Sequence, residues 1–323
     1  MEFFKQTKTI GFMGKSKIAM IISIVLVLSS YGLLITKGLN FGVDFAGGTI
    51  VQVKYAHDAP IDTMRKQLAS NEMFKGASIT EFGSPDEVII RLKTSSKDIS
   101  KDVGDVTREA LKGTGDYKIR RVDIVGPKVG NELREKGVMS MLLAMLGILI
   151  YVAFRFEWRF AVASIIALVH DVSIALGALA LTQIDVNLDV LAALLTILGY
   201  SLNDTIIVFD RIREGITDTK SSNLSDVIDE SVTKTLSRTT LTSLTTFFVV
   251  LTLFMFGGEI IHSFGFTLLV GVVVGTYSSI FVASPILLWL GFDIKNFHGK
   301  LADKAIREAE KEKMRAQFEQ GTI

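Results

Sequence analysis

The sequence lacks several residue types and motifs on which enzymes and cofactor-binding proteins depend. It contains no cysteine, which excludes disulfide frameworks, thiolate metal sites and cysteine nucleophiles. Its four histidines are too scattered in sequence to suggest a metal site. No Walker-type glycine loop is present, and a net charge of +1 gives no electrostatic reason to expect nucleic acid as a partner. None of the apolar runs carries the Gly-x-Gly-Asp or Gly-x-Ser-Gly motif of intramembrane proteases, so we expect no enzymatic activity, metal or organic cofactor.

Long apolar runs dominate what the chain does contain. Of its 323 residues, 49% are apolar and 21% are charged. A bilayer core requires roughly 17 to 25 apolar residues in a helix. Six runs reach that length, so we predict a polytopic α-helical membrane protein with six transmembrane helices. They are Ile18–Ile35, Val138–Phe154, Phe160–Leu181, Val190–Phe209, Thr239–Phe256 and Phe264–Leu290.

Basic residues predict the orientation of these spans. Lys5, Lys8, Lys15 and Lys17 precede the first span, which places residues 1–17 in the cytoplasm by the positive-inside rule. The loops at 155–159 and 210–238 and the tail at 293–323 also carry Lys or Arg. The loops at 182–189 and 257–263 carry neither. We therefore expect both termini in the cytoplasm and the segment 36–137 outside, with five further spans within 138–292.

The external segment has the pattern of a small α+β domain. Gly48–Tyr55, Ala77–Phe82, Glu87–Lys93 and Tyr117–Gly126 are predicted strands, with the turn sequence GSPD between the second and third. Ile61–Ser70 and Ser96–Lys112 are predicted helices. The order strand, helix, strand, strand, helix, strand is that of a ferredoxin-like unit. Such a unit shows no obvious catalytic cluster, and a docking or spacer module is the simplest interpretation.

Two glycine-containing stretches flank this domain. FGVDFAGGT (Phe41–Thr49) follows the first span, and VGPKVGNELREKG (Val125–Gly137) precedes the second. A lone Gly-Gly pair is weak evidence for a phosphate loop. We expect the glycines to permit sharp turns where the domain meets the bilayer.

Several polar residues interrupt the apolar runs. Each ionisable group at the centre of a span costs on the order of 2.5 to 3.5 kcal/mol on insertion scales. His170 and Asp171 lie near the middle of the third span, and Asn203 and Asp204 lie within the fourth. Arg238 begins the fifth span on the side where the fourth ends. We hypothesise a switch in which Asp204 pairs with Arg238 when ionised and releases it on protonation. A permanent pair, or a hydrogen-bonded Asn–Asp clamp, is the structural alternative.

The fifth span also carries a stripe of hydroxyl groups. Thr235, Thr239, Thr242 and Thr246 recur at helical spacing, with Ser243 beside them. Hydroxyls on a helix face commonly satisfy backbone carbonyls, so packing explains the stripe unless it lines a path to Asp204. Gly271 and Gly275 have the spacing that lets membrane helices approach closely.

The motifs together resemble the SecF branch of the SecD/SecF family of protein-export membrane proteins, which is related to the RND superfamily. The resemblance covers nearly the whole chain. It rests on FGVDFAGGT, VGPKVGNEL, the pair His170–Asp171, LGYSLNDTIIVFDRIRE (Leu198–Glu214) and TKTLSRTTLTSLTT (Thr233–Thr246). The short external segment is similar to that of SecF rather than SecD.

The resemblance implies a subunit that uses the proton-motive force to drive late steps of preprotein export across the bacterial cytoplasmic (inner) membrane. The implied partners are SecD, the SecYEG channel and translocating preproteins, with YajC and YidC as further candidates. Asp204 and Arg238 match family positions implicated in proton movement, and Asn203 lies beside the first. His170, Asp171, Thr239, Thr242 and Thr246 are possible supporting residues. The family motif at the domain–membrane junctions supplies Gly42, Asp44, Gly47, Gly48, Gly126, Pro127 and Gly130.

Two alternatives stay open from the sequence. A half-transporter related to the RND superfamily would export lipids or amphiphiles, and it predicts a ligand-sized apolar pocket in the external domain. A purely structural assembly factor would tolerate neutralisation of Asp204.

Overall fold

The computed structural model describes residues 9–71, 74–92, 103–218, 223–292 and 294–319. Within them, six helices are long and apolar enough to cross a membrane. The predicted spans fall on these six helices, so the prediction of a six-span bundle is confirmed. All α-helices of the described residues are α1 (Ser16–Thr36), α2 (Val43–Ala46), α3 (Ile61–Ala69), α4 (Val103–Ala110), α5 (Pro127–Arg155), α6 (Trp158–Thr182), α7 (Leu188–Asp218), α8 (Leu224–Phe256), α9 (Gly258–Ser278), α10 (Ser284–Trp289) and α11 (Ile294–Glu319). The six spans are formed by α1, α5, α6, α7, α8 and the pair α9–α10.

The sixth span is interrupted. A π-helical turn, Ser279–Ala283, joins α9 to α10, and Pro285 is the second residue of α10. The side chain of Ser284 donates to the carbonyl of Ser279 over 2.9 Å, which satisfies a backbone group within this turn. π turns inside helices are often found at functional sites.

Several helices extend beyond the predicted spans. Helix α5 starts at Pro127, so the stretch that we expected to connect the sheet to the second span is already helical. Proline suits the first turn of a helix because it has no backbone N–H to satisfy there. Helix α8 starts at Leu224, where the Asn223 side chain accepts a hydrogen bond from the backbone N–H of Ser225. The tail beyond the last span forms the helix α11.

The external domain has the predicted ferredoxin-like topology. Its strands are β1 (Gly48–Tyr55), β2 (Ser78–Phe82), β3 (Ser84–Leu92) and β4 (Tyr117–Val125). They form one antiparallel sheet in the order β2-β3-β1-β4. Side chains from β1 and β3 share a core with Met64 and Leu68 of α3 and with Leu111 after α4.

Two local predictions differ from the structure. The turn between β2 and β3 is shorter than GSPD, because Gly83 alone turns the chain at a φ of 76° and β3 begins at Ser84. The predicted helix Ser96–Lys112 is observed as α4 over Val103–Ala110, and its earlier part lies outside the described residues.

Helix α6 is the most buried span, whereas α5 and α8 are largely exposed along their lengths.

Glycines allow close contacts between α9 and α7. A Cβ atom at Gly271 would lie 2.2 Å from Cγ1 of Ile197, and one at Gly275 would lie 3.0 Å from Cβ of Ser201. Gly271 and Gly275 of α9 therefore pack against α7, the helix that carries Asp204.

Candidate functional site

The segment between α1 and β1 is bonded to the loop between α6 and α7. Phe41 and Val186 form an isolated parallel bridge. The backbone N–H of Gly42 donates to the carbonyl of Val186 over 3.0 Å, and the N–H of Val186 donates to the carbonyl of Asn40 over 2.8 Å. A Cβ atom at Gly42 would lie 1.8 Å from the Asn187 side-chain oxygen, so only glycine fits without displacing that amide.

Asp44 connects this segment to α7. Its Oδ2 accepts a hydrogen bond of 3.1 Å from the backbone N–H of Leu188, the first residue of α7. A carboxylate at this position satisfies one of the unpaired N–H groups of a helix terminus and interacts favourably with the helix dipole. Asp44 therefore caps the helix on which Asp204 lies.

The glycines of the same motif meet the start of α5. Gly47 has a φ of 76°, and a Cβ atom there would lie 2.9 Å from the Cα of Pro127. A Cβ atom at Gly130 would lie 2.8 Å from the carbonyl oxygen of Phe45. Gly48 also has a positive φ, of 146°, whereas Gly126 has open space around it. We call the contacts of 40–48 with 126–130 and 185–188 the domain–membrane joint.

Asp204 is almost fully buried, with 1% of its surface exposed. Ser243 of α8 donates a hydrogen bond to its Oδ2 over 3.2 Å, and Thr276 of α9 donates to Ser243 over 2.8 Å. The carboxyl group therefore lies where three spans meet and is held by a short chain of hydroxyls.

The other two predicted proton-coupling residues face outward. Asn203 and Arg238 are both exposed at the surface of the bundle. Within the described residues, no ion pair joins Arg238 to Asp204. The direct pair of the predicted switch is thus not formed in this conformation, in which Ser243 is the partner of Asp204.

The predicted threonine stripe on α8 is divided between different surroundings. Thr239 is 2% exposed, and its hydroxyl has no hydrogen-bond partner within the described parts of the chain. Thr242 is exposed and donates to the carbonyl of Arg238 over 3.0 Å, whereas Thr246 is half-buried. The hydroxyl group that reaches Asp204 belongs to Ser243, which lies beside the stripe.

His170 and Asp171 form a second buried polar cluster. Nδ1 of His170 lies 2.8 Å from Oδ1 of Asp171. Ser201 of α7 and Ser278 of α9 both donate to the other carboxylate oxygen, Ser278 over 2.8 Å. Tyr277 stacks on the His170 ring at a centroid distance of 6.2 Å. We call His170, Asp171, Ser201 and Ser278 the α6 cluster.

Four hydroxyl residues of these two sites were either missed by sequence reasoning or given no role. Ser201 lies three residues before Asp204, so helical spacing could have placed both on one face. Ser243 was noted beside the stripe without a role. Thr276 and Ser278 gave no signal beyond being hydroxyls in an apolar run, because their partners depend on how α9 packs against α6 and α8.

Comparisons with known proteins match both the bundle and the joint. Residues 106–293 match the family described as "Protein export membrane protein SecD/SecF, C-terminal", and residues 32–59 match the "SecD/SecF GG Motif". The protein translocase subunit SecF of Helicobacter pylori strain J99 is 48% identical over 323 residues, which is 100% of both chains. That of Vibrio alginolyticus is 47% identical over 292 residues, covering 90% of this chain and 92% of the relative.

The architecture is also that of a solved translocon-associated membrane protein. The crystal structure of SecDF from Thermus thermophilus matches with a TM-score of 0.78 and 34% identity, covering 90% of this chain. A second SecDF structure, in the super-membrane-facing form, matches with a TM-score of 0.67 and 33% identity. The chain spans 40% and 41% of the lengths of those two SecDF chains.

The matched chains share one class, that of multi-pass protein-export membrane proteins. Within this class, the chain belongs to the SecF family of protein translocase subunits. This is a family of translocase subunits and not a family of catalytic enzymes.

Proposed function

We propose that this subunit couples the proton-motive force to late steps of preprotein export, with protons as the coupling ion and without a metal or organic cofactor. The observation that carries the proposal is the position of Asp204: a buried carboxyl group between α7, α8 and α9, bonded to the Ser243 hydroxyl and without an ion-pair partner among the described residues. Burying a carboxyl group in such surroundings costs little free energy when the group is neutral and much more when it is charged. Its protonation can therefore bias how the helices pack.

The membrane potential supplies the free energy for such a bias. One elementary charge that crosses the membrane carries about 2.3 kcal/mol per 100 mV. A shift of this size changes the populations of two packed conformations considerably. In the ionised state Arg238 is the cation that would approach Asp204, and in the protonated state Ser243 suffices as a partner.

The domain–membrane joint provides a route from this site to the external domain. Asp204 lies sixteen residues after Leu188, or about 24 Å along a helix. Asp44 caps the beginning of that helix, and β1 starts four residues later. A rigid displacement of α7 therefore acts directly on the segment that enters the sheet.

The outward-facing polar residues support a proposed contact face for SecD. Asn203, Arg238 and Thr242 are exposed on α7 and α8 within the apolar bundle. Polar groups that face lipid are costly, so such side chains are expected to meet a partner helix or water. We propose that SecD covers this face, and that the complex works with SecYEG on preproteins, with YajC and YidC as additional partners.

We place the subunit in the bacterial cytoplasmic membrane with both termini in the cytoplasm. The lysines before α1, the basic loops and the charged helix α11 support this orientation. It places the ferredoxin-like domain on the side where preproteins emerge. Labelling of single cysteines introduced at residues 57 and 315 with a membrane-impermeant thiol reagent tests it, because only the first is expected to react in intact spheroplasts.

Substitution of Asp204 tests the proposed function. Asp204→Asn should abolish proton-driven export in SecYEG vesicles with SecD while leaving membrane insertion and SecD association intact. Asp210→Asn is the matched control, since Asp210 lies on the same helix but is exposed, 3.6 Å from Arg155. Full export with Asp204→Asn would contradict the proposal and favour a structural assembly role.

Lipid export is less well supported than protein export. One cavity in the external domain lies along β1 and β4, and charged side chains such as Lys54, Asp116 and Arg120 line it. That lining does not suit an amphiphile. Co-purification with SecD and SecYEG discriminates the two functions, because a lipid exporter requires neither partner.

A further inference from the structure

Three arginines lie around the turn between α5 and α6, at the end of the bundle opposite the external domain. Helix α5 ends at Arg155, and Arg159 is the second residue of α6. Arg213 comes from the last part of α7, and its Nη1 donates to the carbonyl of Arg155 over 3.1 Å. The turn is therefore bonded to α7. We call Arg155, Arg159 and Arg213 the arginine site.

Aromatic rings hold these guanidinium groups in place. The guanidinium carbons of Arg155 and Arg213 lie 5.4 and 5.5 Å from the centroid of the Phe156 ring, so two like charges share one ring. The guanidinium carbon of Arg159 lies 5.3 Å from the centroid of the Trp158 ring. These distances are within the range of cation–π contacts, which attract a cation to a ring face without neutralising its charge. The rings thus position three cations and leave their positive charge available.

The nearby carboxylates neutralise this charge only in part. Asp210 lies 3.6 Å from Arg155, but both side chains are about half exposed, so the pair contributes little. Among the residues that the structure describes, neither Arg159 nor Arg213 forms an ion pair. Nε of Arg159 is also buried, without a hydrogen-bond partner in the same part of the chain. With Glu157 of the turn included, three cations face two carboxylates, and N–H donors are left for an anion.

The surroundings of the arginine site are those of a membrane boundary. Phe154, next to Arg155, is 89% exposed, and Trp158 beside Arg159 is also exposed. Exposed apolar side chains of a membrane span face the acyl chains of the bilayer, and tryptophan is enriched at the level of the headgroups. The guanidinium groups therefore lie near the depth of the lipid phosphates. A phospholipid bound here would also cover the apolar side chains, a contribution that a soluble anion lacks.

We propose that Arg155, Arg159 and Arg213 bind the phosphate group of an anionic phospholipid, whose acyl chains lie along Phe154 and the exposed face of α5. The planar fork of a guanidinium group matches phosphate oxygens in both geometry and charge. Basic pockets between membrane helices are a recurrent binding mode for anionic headgroups. The bound lipid joins the α5–α6 turn to α7 and stabilises their packing. This inference is independent of the role proposed for Asp204.

The alternative is that these arginines only set the orientation of the spans, as basic residues at helix ends commonly do. In that case, any cation at this end of the bundle would attract anionic lipid equally. Arg211 provides the comparison, because it lies on the same part of α7 and pairs with Glu214 at 2.6 Å. Its charge is already matched by a carboxylate, so Arg211→Gln is the matched control.

Native mass spectrometry of the full chain tests the site. The protein is purified in detergent, freed of lipid, and titrated with phosphatidylglycerol or with phosphatidylethanolamine of the same acyl chains. Wild type should bind one phosphatidylglycerol about tenfold more tightly, because the ammonium group of phosphatidylethanolamine cancels the phosphate charge. The double variant Arg155→Gln, Arg213→Gln should lose this preference, and Arg211→Gln should keep it. Inorganic phosphate at the concentration of the lipid should not displace phosphatidylglycerol.

Three results would overturn the inference. Equal affinity for the two lipids would show that the site does not select an anionic headgroup. A loss in Arg211→Gln as large as that in the double variant would show a diffuse effect of charge. Displacement of the lipid by inorganic phosphate would assign the site to a soluble anion.

Arg213→Lys covers the case in which the double variant does not fold. It keeps the charge but removes the planar fork, so it should weaken the binding of phosphatidylglycerol several-fold. Unchanged affinity in Arg213→Lys would contradict the proposed contact between Arg213 and the phosphate group.

Discussion

Oδ2 of Asp44 lies 3.1 Å from the backbone nitrogen of Leu188, so a residue next to the external sheet caps the membrane helix that carries Asp204. The two residues are 144 positions apart in the chain. The contact joins the entry of the external domain to the beginning of α7 without an intervening flexible loop. Loss of the cap should therefore affect both the stability of the joint and the transmission of movement.

Asp44→Ala should lower the free energy of unfolding by about 1 kcal/mol, the usual effect of removing a helix cap. Export should fall with it, because α7 is no longer held to the segment that enters β1. Asp44→Asn should restore much of both, since an amide oxygen still accepts the Leu188 N–H. Thermal unfolding in detergent and proton-driven export in vesicles measure the two effects.

Asp62→Ala is the control for Asp44, because the Asp62 side chain is 91% exposed and pairs with Arg65 on the same helix. It should change neither measurement. Equal losses from the two alanine variants would show that Asp44 has no special role at the joint.

Gly130→Ala should destabilise the joint by roughly 1 to 3 kcal/mol, as overpacking of a close contact does. The added Cβ would lie 2.8 Å from the carbonyl oxygen of Phe45 and 3.0 Å from the nitrogen of Gly47. Gly147→Ala on the same helix should be neutral or stabilising, since no atom outside its own helix turns lies within 4 Å. Protein yield and thermal midpoints of the two variants in detergent provide the comparison, and similar midpoints would refute the steric argument.

The domain–membrane joint also shows which contacts could not be predicted from the sequence. The six spans, the sheet and its topology were predictable, because bilayer length and strand periodicity are local properties of the chain. The glycine motif at 42–48 was recognised, but its contacts were not. They connect it to residues 126–130 and 185–188, and no local pattern states which distant segment fills the space that a glycine leaves.

The same limit applies inside the bundle. Asp204 was conspicuous because an acid in an apolar run is costly wherever it packs. Its partner was expected to be Arg238, the strongest complementary charge nearby, whereas Ser243 holds it in this conformation. Helical spacing places both residues on α8 but does not give the rotation of α8 about its axis. That rotation directs Ser243 inward and Arg238 outward.

Arg238→Leu should reduce proton-driven export to the level of Asp204→Asn while changing the thermal midpoint little, because Arg238 is exposed and surface substitutions usually shift stability by less than about 0.5 kcal/mol. Arg238→Lys should retain part of the activity, since it preserves the charge. Export assays and unfolding curves on the same preparations separate the two effects.

Lys234→Gln provides the comparison for Arg238. Lys234 is an exposed cation one turn earlier on α8, and it pairs with Glu230 at 2.5 Å. The Lys234→Gln variant should support normal export. If Arg238→Leu also exports normally, Arg238 takes no part in proton coupling.

The external domain should lose stability at alkaline pH through Tyr55. Burial raises the pKa of Tyr55 above its ordinary value near 10. Burial also raises the pKa of the neighbouring Tyr117. A pKa that is higher in the folded state means that the stabilisation is fully present below about pH 10 and is lost as the pH rises through the folded-state pKa. Tyr55→Phe should therefore flatten the alkaline loss of stability.

Tyr55→Phe should also cost about 1 kcal/mol at neutral pH, because the 2.8 Å hydrogen bond to Thr114 is removed. Thermal midpoints of the full chain followed against pH measure both effects, with Tyr151→Phe on the exposed face of α5 as the control. An equally steep alkaline loss in Tyr55→Phe would assign it to other groups.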